Sequence, residues 1–148
     1  MKTKNSISNH IISIISLACF SLMIVGSEND TTTAEATKSL DGPAIKVTAE
    51  KLQEEFKNNE VRAVRTYKDK VVEVAGKIYG FDTGFTEEAV KLTLEAGGGW
   101  NNVMCDFPKD QADNVFNLNK GDYITVKGIC TGVIMGSPTM NNCIIVNK

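Results

Sequence analysis

With 148 residues, 42% of them hydrophobic, the chain can bury one core and has room for one domain plus appendages. The formal charge is −2; Lys2 and Lys4 fall in a segment read below as an export signal, and taking those two from the 16 basic residues leaves 14 against 18 acidic, a net charge of −4. A domain that holds nucleic acid chiefly through its phosphates needs a basic excess, because counterion release supplies most of the non-specific affinity, and this composition offers none.

Residues 1–10 carry Lys2, Lys4 and His10 and no acid, and Ile11 to Val25 is a run of 15 residues that is apolar except for Ser13, Ser16 and Ser21. A spanning helix needs about 20 apolar residues, so the run reads as the core of an export signal. Val25-Gly26-Ser27 supplies small residues for a signal peptidase, and residues 1–27 are expected to be removed. Two alternatives stay open: lipidation at Cys19, through the loose lipoprotein box Ser16-Leu17-Ala18-Cys19, and an uncleaved short anchor. Residues 28–45 are rich in Thr, Ser, Ala, Asp and Glu, with Gly42-Pro43 and no apolar period, and are expected to form a flexible linker.

The folded domain is expected over 46–148. Thr48 can cap a helix through Phe56, with Leu52 and Phe56 on its apolar side and Asn58-Asn59 at its end. Glu60 to Tyr67 follows as a second short helix. Lys70 to Tyr79 alternates as a strand, with Val72, Val74 and Ile78 inward and Gly76 between them. After a turn over Gly80 to Gly84 come two further strands, Glu88 to Glu95 and Asn102 to Phe107, separated by Gly97-Gly98-Gly99. Pro108 closes the third strand, Asp110 to Phe116 is a short helix, and the fourth strand leads from Lys120 to Thr131 with Gly128 as a bend or bulge. Gly132 to Pro138 reads as a loop before a fifth strand, Met140 to Val146. Val72, Val74, Ile78, Leu92, Leu94, Val103, Phe107, Ile124, Val126 and Ile145 are the expected core.

Three strands, a short helix and two strands, behind an added helix, is the order of the OB-fold: a mainly β, five-stranded barrel with a helix between strands three and four. Leu52, Asn59-Glu60, Ala63, Tyr67 to Val71, Val74-Ala75-Gly76, Lys120-Gly121-Asp122, Val126 to Cys130 and Asn142-Cys143 together resemble the tRNA anticodon-binding-like OB domains of small exported bacterial proteins. The resemblance covers about Val47 to Lys148. It implies an OB barrel that binds rather than catalyses, and its family name records a likeness of fold without implying that tRNA is the ligand.

Cys105, Cys130 and Cys143 remain after export. The strands bearing Cys130 and Cys143 are joined by 12 residues and can lie antiparallel, so in an oxidising compartment a Cys130–Cys143 disulfide is expected, with Cys105 as a competitor and three reduced cysteines as the alternative. No paired cysteine spacing exists and His10 is the single histidine, so neither a metal site, a cofactor site nor a Ser/His/Asp set is expected. Glu87-Glu88, adjacent on a strand, point to opposite faces and do not make a matched acid and base.

OB domains stack bases on aromatics of their second and third strands and close loops around them. Tyr79, Phe81 and Phe85 at the first loop, Trp100 at the third strand and Lys91 between them are therefore the expected ligand-binding residues. In the competing reading Phe81 and Phe85 plug the barrel's end and Trp100 packs under the glycine turn. The expected function is a non-enzymatic binding module of the bacterial envelope whose ligand is a protein, a glycan or an oligonucleotide; a single-stranded nucleic-acid-binding protein is the alternative. Membrane contact is expected only through the N-terminal segment.

Overall fold

The computed structural model describes residues 39–83 and 89–148. The expected signal at 1–27, Cys19, most of the linker and Phe85 lie outside the described residues.

A short strand, β1 (Ile45–Thr48), leads into α1 (Ala49–Asn58), where the Thr48 hydroxyl accepts from the Lys51 amide at 3.2 Å as the helix cap. Asn59 caps α2 (Glu60–Tyr67) in the same way, accepting from the Arg62 amide at 2.9 Å. Six strands form the sheet rather than the five expected, because β1 pairs parallel to β2 (Val71–Thr83) from Ile45 opposite Val72 to Thr48 opposite Ala75. A four-residue strand beside a helix cap carries too little period to be told from the linker before it.

β2 also pairs antiparallel with β5 (Tyr123–Ile134) over Val71 to Lys77, and with β3 (Val90–Glu95) over Ile78 to Thr83. β3 pairs with β4 (Asn102–Phe107), β4 runs parallel to β6 (Ser137–Asn147), and β6 returns antiparallel to β5. This closes an OB barrel. A 3-10 turn at Lys109–Gln111 and α3 (Ala112–Phe116) bridge β4 to β5, where a short helix was expected. β2 runs through the expected turn at Gly80 as far as Thr83, and β5 and β6 consume the expected loop at 132–138, joined only by Met135-Gly136. Pro138 pairs with Val133 across that hairpin, a long-range partner that its local loop signal could not report.

Nine of the ten expected core residues are buried, and Ile145 is half-buried against them. α1 adds Ala49, Leu52 and Phe56 to the same core, and the α3 region adds Val115 and Leu118. Gly76 is regular in its pairing with Ile124, and its role is clearance: a Cβ there would stand 2.9 Å from the Cβ of Ala49 where α1 crosses β2. The irregularity of β2 falls instead at Tyr79, between Ile78 opposite Leu94 and Gly80 opposite Thr93. Gly128 does sit at a shift of register, between Lys127 opposite Ile144 and Ile129 opposite Asn141.

The hairpin register sets Cys130 and Cys143 apart along β5 and β6. Cys130 pairs with Met140, Cys143 lies beyond the bulge facing Gly128, and Cys105, Cys130 and Cys143 are all free, buried thiols. The tight turn at Met135-Gly136 sets this register, and Asn142, at φ 52, is the extra residue that brings Cys143 opposite Gly128, a local conformation that strand alternation alone does not reveal.

Tyr67 latches α2 onto α1. Its hydroxyl donates to Glu55 Oε2 at 2.9 Å, and its ring stacks on Phe56 with centroids 6.1 Å apart. Burial, reinforced by the hydrogen bond and the negative charge of Glu55, raises the phenol from 10.0 to about 12.

Two outcomes follow for stability. Gly128→Ala places a methyl 2.8 Å from Cys143 Sγ and 3.0 Å from the Asn141 carbonyl, and is expected to destabilise the barrel by about 1–3 kcal/mol in urea unfolding. Because the folded state holds the Tyr67 proton more tightly than the unfolded chain, its contribution is whole below pH 10.0 and is lost as pH rises through about 12. A tyrosinate absorbance step near 12 should disappear in Tyr67→Phe.

Candidate ligand-binding surfaces

The expected binding residues do not form one site. On the outer face of β3 and β4, Lys91 stands opposite Asp106, with Nζ 3.4 Å from Oδ1. Asn141, with its amide oriented to satisfy both ends, donates to the other Asp106 oxygen at 3.2 Å. Lys91 thus meets a carboxylate on its own face, and a pair this exposed adds little stability.

Tyr79 lies on a different strip. Alternation after the inward Ile78 turns it outward on β2, and Lys120 reaches over Gly80 to place Nζ 5.3 Å from its ring centroid. The turn before β5 fixes Lys120: the Gly121 amide donates to the Ile78 carbonyl at 2.9 Å, and the Ile78 amide donates to the Asp122 carbonyl at 2.8 Å. Lys77 pairs with Tyr123 on the neighbouring rung. Tyr79 and Tyr123 are 50% and 60% exposed, so two aromatic faces and two lysines share one stretch of wall. Sequence reading missed Lys120 and Tyr123, whose proximity to Tyr79 depends on barrel closure.

Phe81 has the parity of the inward side, opposite Leu92, but stands past the end of the barrel. There it lines an open groove of about 300 Å³ with Val90, Ala112, Val115, Phe116 and Leu118. It is 42% exposed along that groove, which it shares with α3.

Trp100 sits at the opposite end. It does not pack under the glycine turn: it is 97% exposed. Its carbonyl accepts from the Ser137 hydroxyl at 3.3 Å, which fastens the β3–β4 loop to the start of β6. Gln53 of α1 donates to the Gly136 carbonyl at 2.8 Å, fastening α1 to the same hairpin. The same hairpin carries Ile134 and Met135, and Met135 is 99% exposed. Met135 and Gly136 have φ of 51 and 82, the two left-handed positions of a tight two-residue hairpin. Gly136 suits that geometry, whereas methionine at the first position costs about 1–2 kcal/mol relative to a residue that accepts it. Between α1 and the β3–β4 loop lies an open cleft of about 440 Å³, lined by Thr48, Lys51, Gln53, Ala96, Gly97 and Asn101 among others. The signal for this end was present in the run Val133-Ile134-Met135 but was absorbed into an expected loop.

The model of the tRNA_anti-like family matches residues 1–144. The chain belongs to the tRNA_anti-like family. Among solved structures, this tRNA_anti-like chain is similar to a candidate nucleic acid-binding lipoprotein of Klebsiella pneumoniae, at 21% identity and a TM-score of 0.58, over 68% of this chain and 92% of that one. That likeness shows a shared fold. Weaker likenesses are to the asparaginyl-tRNA synthetase of Entamoeba histolytica, at 14% identity and a TM-score of 0.42 over 55% of this chain and 21% of that one, and to an OBody bound to hen egg-white lysozyme, at 17% identity and 0.42 over 56% and 85%. No curated protein matches the chain.

Trp100 is the single tryptophan. Trp100→Ala should leave unfolding free energy within about 0.5 kcal/mol of the parent, because so exposed a ring contributes no packing. Its fluorescence should be that of an indole in water, fully quenched by iodide.

Proposed function

We propose that this protein is a non-catalytic binding module of the bacterial envelope that docks a partner protein through the barrel end carrying Trp100, Ile134 and Met135. The observation that carries this reading is the placement of Met135: an apolar side chain, 99% exposed, in a left-handed conformation at the tip of the hairpin whose Ser137 bonds the backbone of an equally exposed Trp100. A residue that breaks both the burial rule and the turn rule at one place marks selection for something other than stability. Tryptophan and methionine are also residue types enriched in the desolvated centres of protein interfaces. The acidic balance of residues 28–148 disfavours a phosphate backbone as the principal ligand. Export is supported by the basic start and 15-residue apolar run ending at Val25, and the Klebsiella neighbour is itself described as a lipoprotein.

A second reading has its own support: single-stranded nucleic acid lying on Tyr79 and Tyr123, with Lys77 and Lys120 against its phosphates. The nucleic-acid description of the same neighbour favours it.

Protein purified from the native host's envelope should begin at residue 28 by intact mass. Crosslinked to its neighbours there, it should retain one partner that Trp100→Ala and Met135→Ser both lose, and titration with that purified partner should shift the Trp100 emission to the blue. A labelled oligothymidine should show no change in anisotropy at low salt. Oligothymidine binding abolished by Lys77→Glu and Lys120→Glu, with capture indifferent to Trp100, would replace the first reading by the second. A mass that begins at Cys19 and carries lipid there would change the anchor and not the site.

A further inference from the structure

We propose that Cys105 and Cys143 are joined by a disulfide in the exported protein, tying β4 to β6 inside the barrel and leaving Cys130 as a thiol. The inference starts from the walls. β4 and β6 are parallel neighbours, with Met104 opposite Thr139 and Cys105 opposite Met140. The next rung places the Asn141 amide on Asp106, so the two strands stay side by side beyond their paired residues. Asn142 then takes up the extra residue of the bulge, and Cys143 becomes the next buried side chain of β6 after Met140. The Cys143 and Cys105 thiols are hydrogen-bond partners, and both residues are fully buried.

The opposite wall gives the Cys143 sulfur its room. Gly128 has no side chain, and the space a Cβ would fill lies 2.8 Å from Cys143 Sγ. Cys130 has a different neighbour: it faces Met140 on β6, and Met140 separates it from Cys105 along the rung.

Burial also decides when the bond can form. It pushes the Cys143 thiol well above its ordinary value, reinforced by Cys105, so in the closed barrel neither a thiolate nor a path for an oxidant is at hand. The bond therefore forms while the barrel is still open. One cysteine thiolate attacks a sulfur of a disulfide oxidant, such as oxidised glutathione, and releases one oxidant thiol; the second cysteine thiolate then attacks the mixed disulfide and releases the other. Two protein thiols are oxidised, the oxidant's disulfide is reduced to two thiols, and the two protein protons end on them.

The physiological half of this inference rests on export, and the test separates the two. Full-length chain with Cys19→Ser, unfolded in reductant and refolded in a glutathione redox mixture, should yield a Cys105–Cys143 crosslinked peptide on digestion without reduction. Cys130 should be alkylated, and only after denaturation. The same mixture added to protein already folded in reductant should form the bond at least tenfold more slowly. A Cys130–Cys143 or Cys105–Cys130 peptide, or three alkylated cysteines after refolding, would overturn the pairing, and none of these readouts needs a core variant to fold. Protein from the native envelope should carry the same crosslink, and three free thiols there would overturn the disulfide whatever the refolding result. Recovery of the protein in the cytoplasm with residues 1–27 intact would overturn export, and with it the bond in the cell, while the refolding result would still decide which cysteines pair.

Discussion

β2 serves three neighbours, and the division of its length among them governs the rest of the molecule. Val71 to Lys77 pairs with β5 on one side, and Ile78 to Thr83 pairs with β3 on the other. The stretch of that second side which β3 does not reach, Val72 to Ala75, is covered by β1. Its backbone groups are thereby satisfied without a longer β3, and a closed sheet leaves few open edges. α1 leaves β1 at Thr48 and passes over the gap between β1 and β3, which is why Ala49 comes against Gly76. Val74 opposite Val126 lies at the centre of this closure, with the α1 residues Leu52 and Phe56 in the same core.

The two ends of the barrel are finished differently. At the α3 end, inward-facing residues overrun the barrel and line an apolar groove, so Phe81 is half-covered by its own chain. At the α1 end, Gln53 and Ser137 hold the hairpin and the β3–β4 loop by two hydrogen bonds while the largest apolar side chains point away into water. Hydrogen bonding thus supplies the rigidity there and leaves the apolar surface free, an arrangement suited to a preorganised contact. The wall between the ends is polar and balanced in charge where Lys91 meets Asp106, and aromatic where Tyr79 meets Lys120.

Much of this was legible in order. Alternation over Val72, Val74 and Ile78, over Leu92 and Leu94, and over Ile124 and Val126 identified strands and their inward faces, because side-chain period survives any choice of partner. Thr48 identified a helix start, because capping is made within four residues. Where the local signal misled, a distant partner had outvoted it: Gly80, Gly132 and Pro138 read as breakers and are held in strands by β3, β6 and β5.

The candidate surfaces were less legible for the same reason. Tyr79, Phe81, Trp100 and Lys91 were named from sequence as one site, yet the barrel sends them to its wall, its α3 end, its α1 end and an ion pair. A one-residue bulge at Tyr79 and another at Asn142 decide which side chain faces which, and a bulge is a choice made by two strands together. The amino-acid order by itself determined most of the elements, the inward residues, the acidic balance and the family's fold, all properties of single segments or of composition. Register, the company kept by Trp100 and Met135, and the neighbour of Cys143 were decided only when the segments closed on one another, since each depends on a contact between residues far apart in the chain.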